Sequence, residues 1–120
     1  MTNAGNILKQ FYEAVARKDI DDARKHLSDD LIFKGLFTTY RNADEYIAAL
    51  TMLLGITERL DVQVVIAEGS DAAVFFELKT RAPADATTLV AEWHQIRDGK
   101  IFRVQSAFDG RPFARMFDNG

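Results

Sequence analysis

Residues 89–109 set an Asp-Gly pair between two apolar-rich runs. Leu89-Val90-Ala91-Glu92-Trp93-His94-Gln95-Ile96 leads into Arg97-Asp98-Gly99-Lys100, and Ile101 through Asp109 follows. Asp and Gly tolerate the positive φ that a two-residue turn between twisted strands demands, so the segment reads as a β-hairpin. The same hairpin carries Glu92 and His94 among mostly apolar neighbours, in a chain with few other polar candidates for chemistry.

Composition sets the outer limits. The chain has 120 residues, 48% of them hydrophobic and 28% charged, which fits one globular domain spanning 1–120. Fifteen basic and eighteen acidic residues leave a net charge of −3, with no basic block, so no nucleic-acid partner is expected. The absence of cysteine excludes a disulfide framework, thiolate zinc sites and a cysteine nucleophile, and it fits a reducing cytoplasm. Met1-Thr2-Asn3-Ala4-Gly5-Asn6 lacks the charged-then-apolar layout of a signal peptide. No apolar run approaches the ~18 residues of a membrane span. The expectation is a cytoplasmic protein with no membrane partner.

The first half of the chain reads helical. Ile7, Leu8, Phe11, Ala14 and Val15 recur at helical spacing and form one apolar stripe. Asp19 stands where an N-cap belongs, with Asp21 and Asp22 in the following turn, and predicts a second short helix through about His26. Leu31-Ile32-Phe33 reads as a short strand after a Ser28-Asp29-Asp30 turn. Asn42 with Glu45 three residues on resembles a capping box and opens a third helix, with Tyr46, Ile47, Leu50, Leu53 and Leu54 as its apolar positions and Gly55 as its stop. The second half reads β: strands over 62–67 and 72–80 flank the Glu68-Gly69-Ser70-Asp71 turn, then 89–96 and 101–108 form the hairpin. Helices first and an antiparallel meander afterwards define an α+β domain, whose twisted sheet can curl around the helices and leave a cavity.

The order of these elements resembles the SnoaL-like branch of the nuclear transport factor 2-like (NTF2-like) superfamily. The resemblance rests on Phe11-Tyr12-Glu13-Ala14 leading to Lys18-Asp19-Ile20-Asp21, on Leu27-Ser28-Asp29-Asp30-Leu31-Ile32-Phe33, on the helix after Arg41-Asn42-Ala43, and on Arg97-Asp98-Gly99-Lys100-Ile101 closing with Phe108-Asp109. It implies a cone, three N-terminal helices packed on a curved, mostly antiparallel sheet around an apolar pocket, and dimerisation through the sheet. Members include polyketide cyclases, steroid isomerases, limonene epoxide hydrolases, dehydratases and binding proteins without catalysis, so fold alone does not assign a reaction.

The known enzyme patterns of that superfamily do not transfer. Laid on this chain, the steroid isomerase's tyrosine falls on Phe11 and its base on Gly35, leaving only a carboxyl near Glu92. The epoxide hydrolase's final-strand aspartate falls on Ser106, as does the cyclases' acid/base aspartate, and serine takes up no proton at neutral pH. The remaining candidates are Glu92 and His94 as an acid/base pair, since residues two apart on a strand share one face. Phe11, Val15, Phe33, Tyr40, Val104, Ser106 and Phe108 are the candidate ligand contacts, with Tyr40 orienting the ligand.

Which face of the hairpin looks inward depends on its turn. A plain two-residue register puts Leu89, Ala91 and Trp93 inside, with Glu92 and His94 in solvent. A bulge flips the parity and brings Glu92 and His94 to the same side as Val104, Ser106 and Phe108. The resemblance favours the bulged register; amphipathicity favours the plain one. Two separated histidines without a clustered carboxylate argue against a metal site, and no cofactor is expected. The sequence reading is therefore a binder of an apolar small molecule, with isomerase-, cyclase- or dehydratase-type acid/base chemistry on a hydrophobic carbonyl or hydroxyl compound; the alternative is a non-catalytic ligand-binding or dimerisation domain, and a homodimer is expected. Phe113, Met116 and Phe117 are spaced like one helical face and are expected to cover the pocket mouth or a neighbouring subunit.

Overall fold

A computed structural model describes residues 3–117. Its elements are α1 (Ala4–Ala16), α2 (Ile20–Lys25), β1 (Leu27–Lys34), β2 (Thr39–Tyr40), α3 (Ala43–Leu54), β3 (Thr57–Glu68), β4 (Asp71–Thr80), β5 (Ala86–Arg97), β6 (Lys100–Ala107) and a closing 3₁₀ turn, Arg111–Phe117. The six strands form one curved sheet in the order β2-β1-β6-β5-β4-β3. All neighbours are antiparallel except β1 and β6, which run parallel. The α+β class is as expected. The three helices, however, are not one N-terminal block, because β1 and β2 precede α3. Among the described residues no helix is long and apolar enough to cross a membrane. The leader reading above rests partly on residues 1 and 2, which lie outside the described residues.

Local chemistry explains the helix ends. The Asp19 carboxylate accepts from the Asp22 N–H at 3.1 Å and starts α2. Asn42 Oδ1 accepts from the Glu45 N–H at 2.8 Å, while the Glu45 carboxylate accepts from the Arg41 N–H at 3.0 Å, one residue earlier than a capping box requires. On α1 the buried stripe is Leu8, Phe11, Tyr12, Ala14 and Val15, with Ile7 only half-buried.

β1, β3, β4 and β5 are longer than the sequence indicates. Ser28-Asp29-Asp30 lies within β1 rather than forming a turn before it. Leu27 and Leu31 are fully buried on its inner face. Its carboxylates stay outside, where Arg24 holds Asp29 at 2.6 Å and Arg97 holds Asp30 at 2.8 Å. Such pairs let a polar segment run as strand without burying charge.

The hairpin resolves the two registers. Asp98 (φ 53°) and Gly99 (φ 77°) make a tight two-residue turn, as the Asp-Gly pair demands. Arg97 pairs with Lys100 and Ile96 with Ile101, but Gln95 pairs with Arg103, so Phe102 is an extra residue in β6. This bulge flips the parity. Glu92 then lies opposite Ser106 and His94 opposite Val104, all on the inner face. Leu89 (59% exposed) and Trp93 (48%) face outward with Val64 and Ile66 of β3.

Candidate functional site

The inner face of the sheet, α1 and α3 enclose a cavity of about 260 Å³. Phe11 and Val15 of α1 form one wall, and Tyr46, Leu50 and Leu53 of α3 the facing one. Phe76, Leu78 and Val90 contribute the sheet side, and Phe33, Tyr40 and Phe108 complete the enclosure. Phe33 stacks on Tyr46 with ring centroids 4.6 Å apart and planes at 16°. The mouth is marked by lining residues that are also exposed: Leu36, Phe37, Met52 and Met116.

The 3₁₀ turn reaches this mouth. Phe113 is buried and meets Phe108 edge-on, with centroids 5.7 Å apart, while Met116 lines the opening. This matches the expectation for the segment over these two residues; the Phe117 side chain lies outside what the structure describes. Asp109 fixes the approach by accepting from the Arg111 N–H at 3.1 Å, and the Arg111 guanidinium holds its carboxyl at about 2.

Glu92 is the single residue with a formal charge among those lining the cavity. It is buried, and Ser106 stands beside it on β6. The Glu92 carboxyl hydrogen-bonds the Tyr12 hydroxyl, which also lies 3.0 Å from His94 Nε2. His94 Nδ1 lies 3.3 Å from the Glu92 backbone carbonyl. His94 Nε2 stands 3.9 Å from Glu92 Oε1, so the three side chains from α1 and β5 form one bent hydrogen-bonded chain, Glu92–Tyr12–His94, with the Tyr12 hydroxyl at its middle.

Burial governs their protonation. It raises the Glu92 carboxyl above the ordinary range, against hydrogen bonds from Tyr12 and Ser106 that favour the anion. It lowers His94 to about 3, against backbone carbonyls of Glu92 and Ala72 that favour the cation. At neutral pH His94 is an uncharged imidazole. Tyr12 and Tyr46 are pushed well above the phenol range, by burial first and the neighbouring Glu92 second.

Six of the seven expected ligand contacts line the cavity: Phe11, Val15, Phe33, Tyr40, Ser106 and Phe108. Val104 does not; it is buried in the core beneath. Glu92 lines the cavity, but His94 has no exposure and stands behind Tyr12, so the two do not line the cavity side by side. The bulge put both on the inner face, yet the tyrosine occupies the space through which His94 would have reached the cavity. Tyr12 and Tyr46 are the polar groups that sequence reasoning passed over. Tyr12 sits four residues after Leu8 and three before Val15, a spacing that places it on the buried stripe. Phe11 and Gly35, where the steroid isomerase pattern needs a hydroxyl and a carboxylate, both line the cavity and offer neither.

Residues 8–104 match the family model of the SnoaL-like domain, and the chain belongs to that family. Solved structures agree on the fold. An NTF2-like protein of unknown function from Cytophaga hutchinsonii ATCC 33406 is 17% identical over 95% of this chain and 96% of that one, with a TM-score of 0.83. A Mycobacterium tuberculosis epoxide hydrolase of the limonene epoxide hydrolase-like kind is 20% identical over 94% and 87%, at 0.77. A candidate polyketide cyclase from Sinorhizobium meliloti is 14% identical over 85% and 94%, at 0.76. Comparison with curated proteins found no match.

Proposed function

We propose that this protein binds an apolar small molecule bearing one hydroxyl or carbonyl group, which meets Glu92 in the cavity. The observation that carries this reading is a buried carboxyl in the wall of a cavity lined chiefly by aromatic and aliphatic side chains. Apolar walls with a few convergent polar groups are the usual form of a small-molecule site. Structural neighbours that include an epoxide hydrolase and a candidate polyketide cyclase are consistent with it.

Acid/base turnover of the isomerase, cyclase or dehydratase type is the second reading, favoured by the raised Glu92 carboxyl. Within that reading Glu92 is the group that meets substrate, and His94 acts only through Tyr12. A homodimer formed through the outer face around Leu89 and Trp93 completes the proposal.

The test is native mass spectrometry of purified protein, followed by a thermal-shift screen of hydroxylated aromatic and terpenoid compounds. A stabilising compound whose affinity changes by less than tenfold in Glu92→Gln, while its conversion stops, supports catalysis. A compound that binds and is never converted supports the binding role alone.

A further inference from the structure

The bent chain Glu92–Tyr12–His94 has two hydrogen bonds, and each needs one proton. Tyr12 supplies one. The other comes from Glu92 or from His94 Nε2. The arrangement at the far end decides between them, because His94 Nδ1 faces the Glu92 backbone carbonyl at 3.3 Å. A protonated Nδ1 donates to that carbonyl; a bare Nδ1 would set lone pair against lone pair. With the proton on Nδ1, Nε2 accepts from Tyr12 at 3.0 Å. The Tyr12 oxygen must then accept from the Glu92 carboxylic acid. The alternative that keeps the imidazole uncharged reverses the chain, protonates Nε2, has one proton fewer and leaves a buried carboxylate at Glu92. Burial of Glu92, which favours its acid form, weighs the same way.

We infer that the hydroxyl hydrogen of Glu92 is committed to Tyr12, so the carboxyl presents an acceptor to the cavity, and the site selects alcohols or phenols over ketones of the same shape. Ser106 bears on the same carboxyl as a donor. The Tyr46 hydroxyl has no hydrogen-bond partner among the described residues and lines the same cavity beside Glu92. A ligand hydroxyl donates to the Glu92 lone pair that Ser106 does not use and accepts from Tyr46, whereas a ketone can only accept and leaves that lone pair without a donor. Tyr12 and His94 are positioning residues in this scheme. The inference rests on the ligand-binding reading above and narrows it.

The ligand-free test is a long-range ¹H–¹⁵N correlation spectrum at pH 7, which reports the imidazole tautomer of His94. Protonation at Nδ1 is expected; protonation at Nε2, or an imidazolium, overturns the inference without touching the binding reading. The ligand test is calorimetric titration with menthol and menthone, an alcohol and a ketone on one compact skeleton. Menthol should bind the native protein at least tenfold more tightly. In Tyr12→Phe the freed acid proton can turn to the cavity, and the preference should shrink or invert as menthone gains. Equal affinities, or a ketone preference, in the native protein overturn the inference and leave the binding reading intact. Binding of neither compound counts against the cavity as a ligand site, and the inference falls with it.

Discussion

Tyr12 and Glu92, eighty residues apart in sequence, share a hydrogen bond where the tyrosine reaches from α1 to the inner face of β5. Removing the hydroxyl strands a carboxyl oxygen and an imidazole nitrogen in the core. Tyr12→Phe is therefore expected to destabilise the fold by roughly 1–3 kcal/mol, the cost of buried groups left without partners. Tyr46→Phe, whose hydroxyl bonds no described residue, should cost clearly less. Chemical denaturation of both variants checks the ordering.

Stability should depend on pH through His94 in a defined direction. Its folded value of about 3 lies below the ordinary 6.5, so the unfolded chain binds the proton more tightly. The contribution is fully present above pH 6.5 and is lost as pH falls towards 3, by at most about 1.4 kcal/mol per unit. His94→Gln should flatten that slope. Glu92 acts in the opposite sense: its folded value is raised, so its contribution is present below the ordinary 4.5 and is lost as pH rises through the folded value. Glu92→Gln should therefore gain on the native protein as pH increases. Urea midpoints at pH 4, 6 and 8 separate the two effects, and parallel profiles for all three proteins would contradict both assignments.

Much of this architecture can be read from the chain because it is written locally. Asp19 and Asn42 cap helices through residues three positions away, and Asp98-Gly99 sets its own turn. The bulge at Phe102 is different in kind. It is fixed by what β5 must bury against β6, so periodicity alone left two registers open. That His94 does not line the cavity beside Glu92 has a similar reason. Strand alternation puts both on one face but says nothing about Tyr12, which arrives from α1 and fills the space between His94 and the cavity.

The outer face of the sheet carries Val64, Ile66, Leu89 and Trp93, all more than two-fifths exposed. An apolar patch of this kind commonly marks an interface. A dimer is expected in sedimentation equilibrium at micromolar concentration, with monomers in Leu89→Lys/Ile66→Lys. Trp93, the only tryptophan, should shift its emission between the two states. A native monomer would refute the proposed dimer.

Phe113 ties the closing 3₁₀ turn to Phe108 at the cavity rim. Phe113→Ala should destabilise by about 3 kcal/mol if the ring is packed as a core residue is. Deleting the residues after Gly110 should lower the melting temperature comparably. An unchanged melting temperature would mean that the segment frays and seals nothing.

The cavity as a ligand site is the centre of the account, and filling it is the most direct test. Ala49 of α3 lines the cavity, and Ala49→Trp would occupy it. The measurement is the ligand-induced stabilisation of native protein and Ala49→Trp by the best alcohol from the screen. At about 100 times its dissociation constant, the compound should stabilise the native protein by roughly 2.7 kcal/mol and leave the filled variant unmoved. Equal stabilisation of both proteins would place the ligand elsewhere and contradict the account.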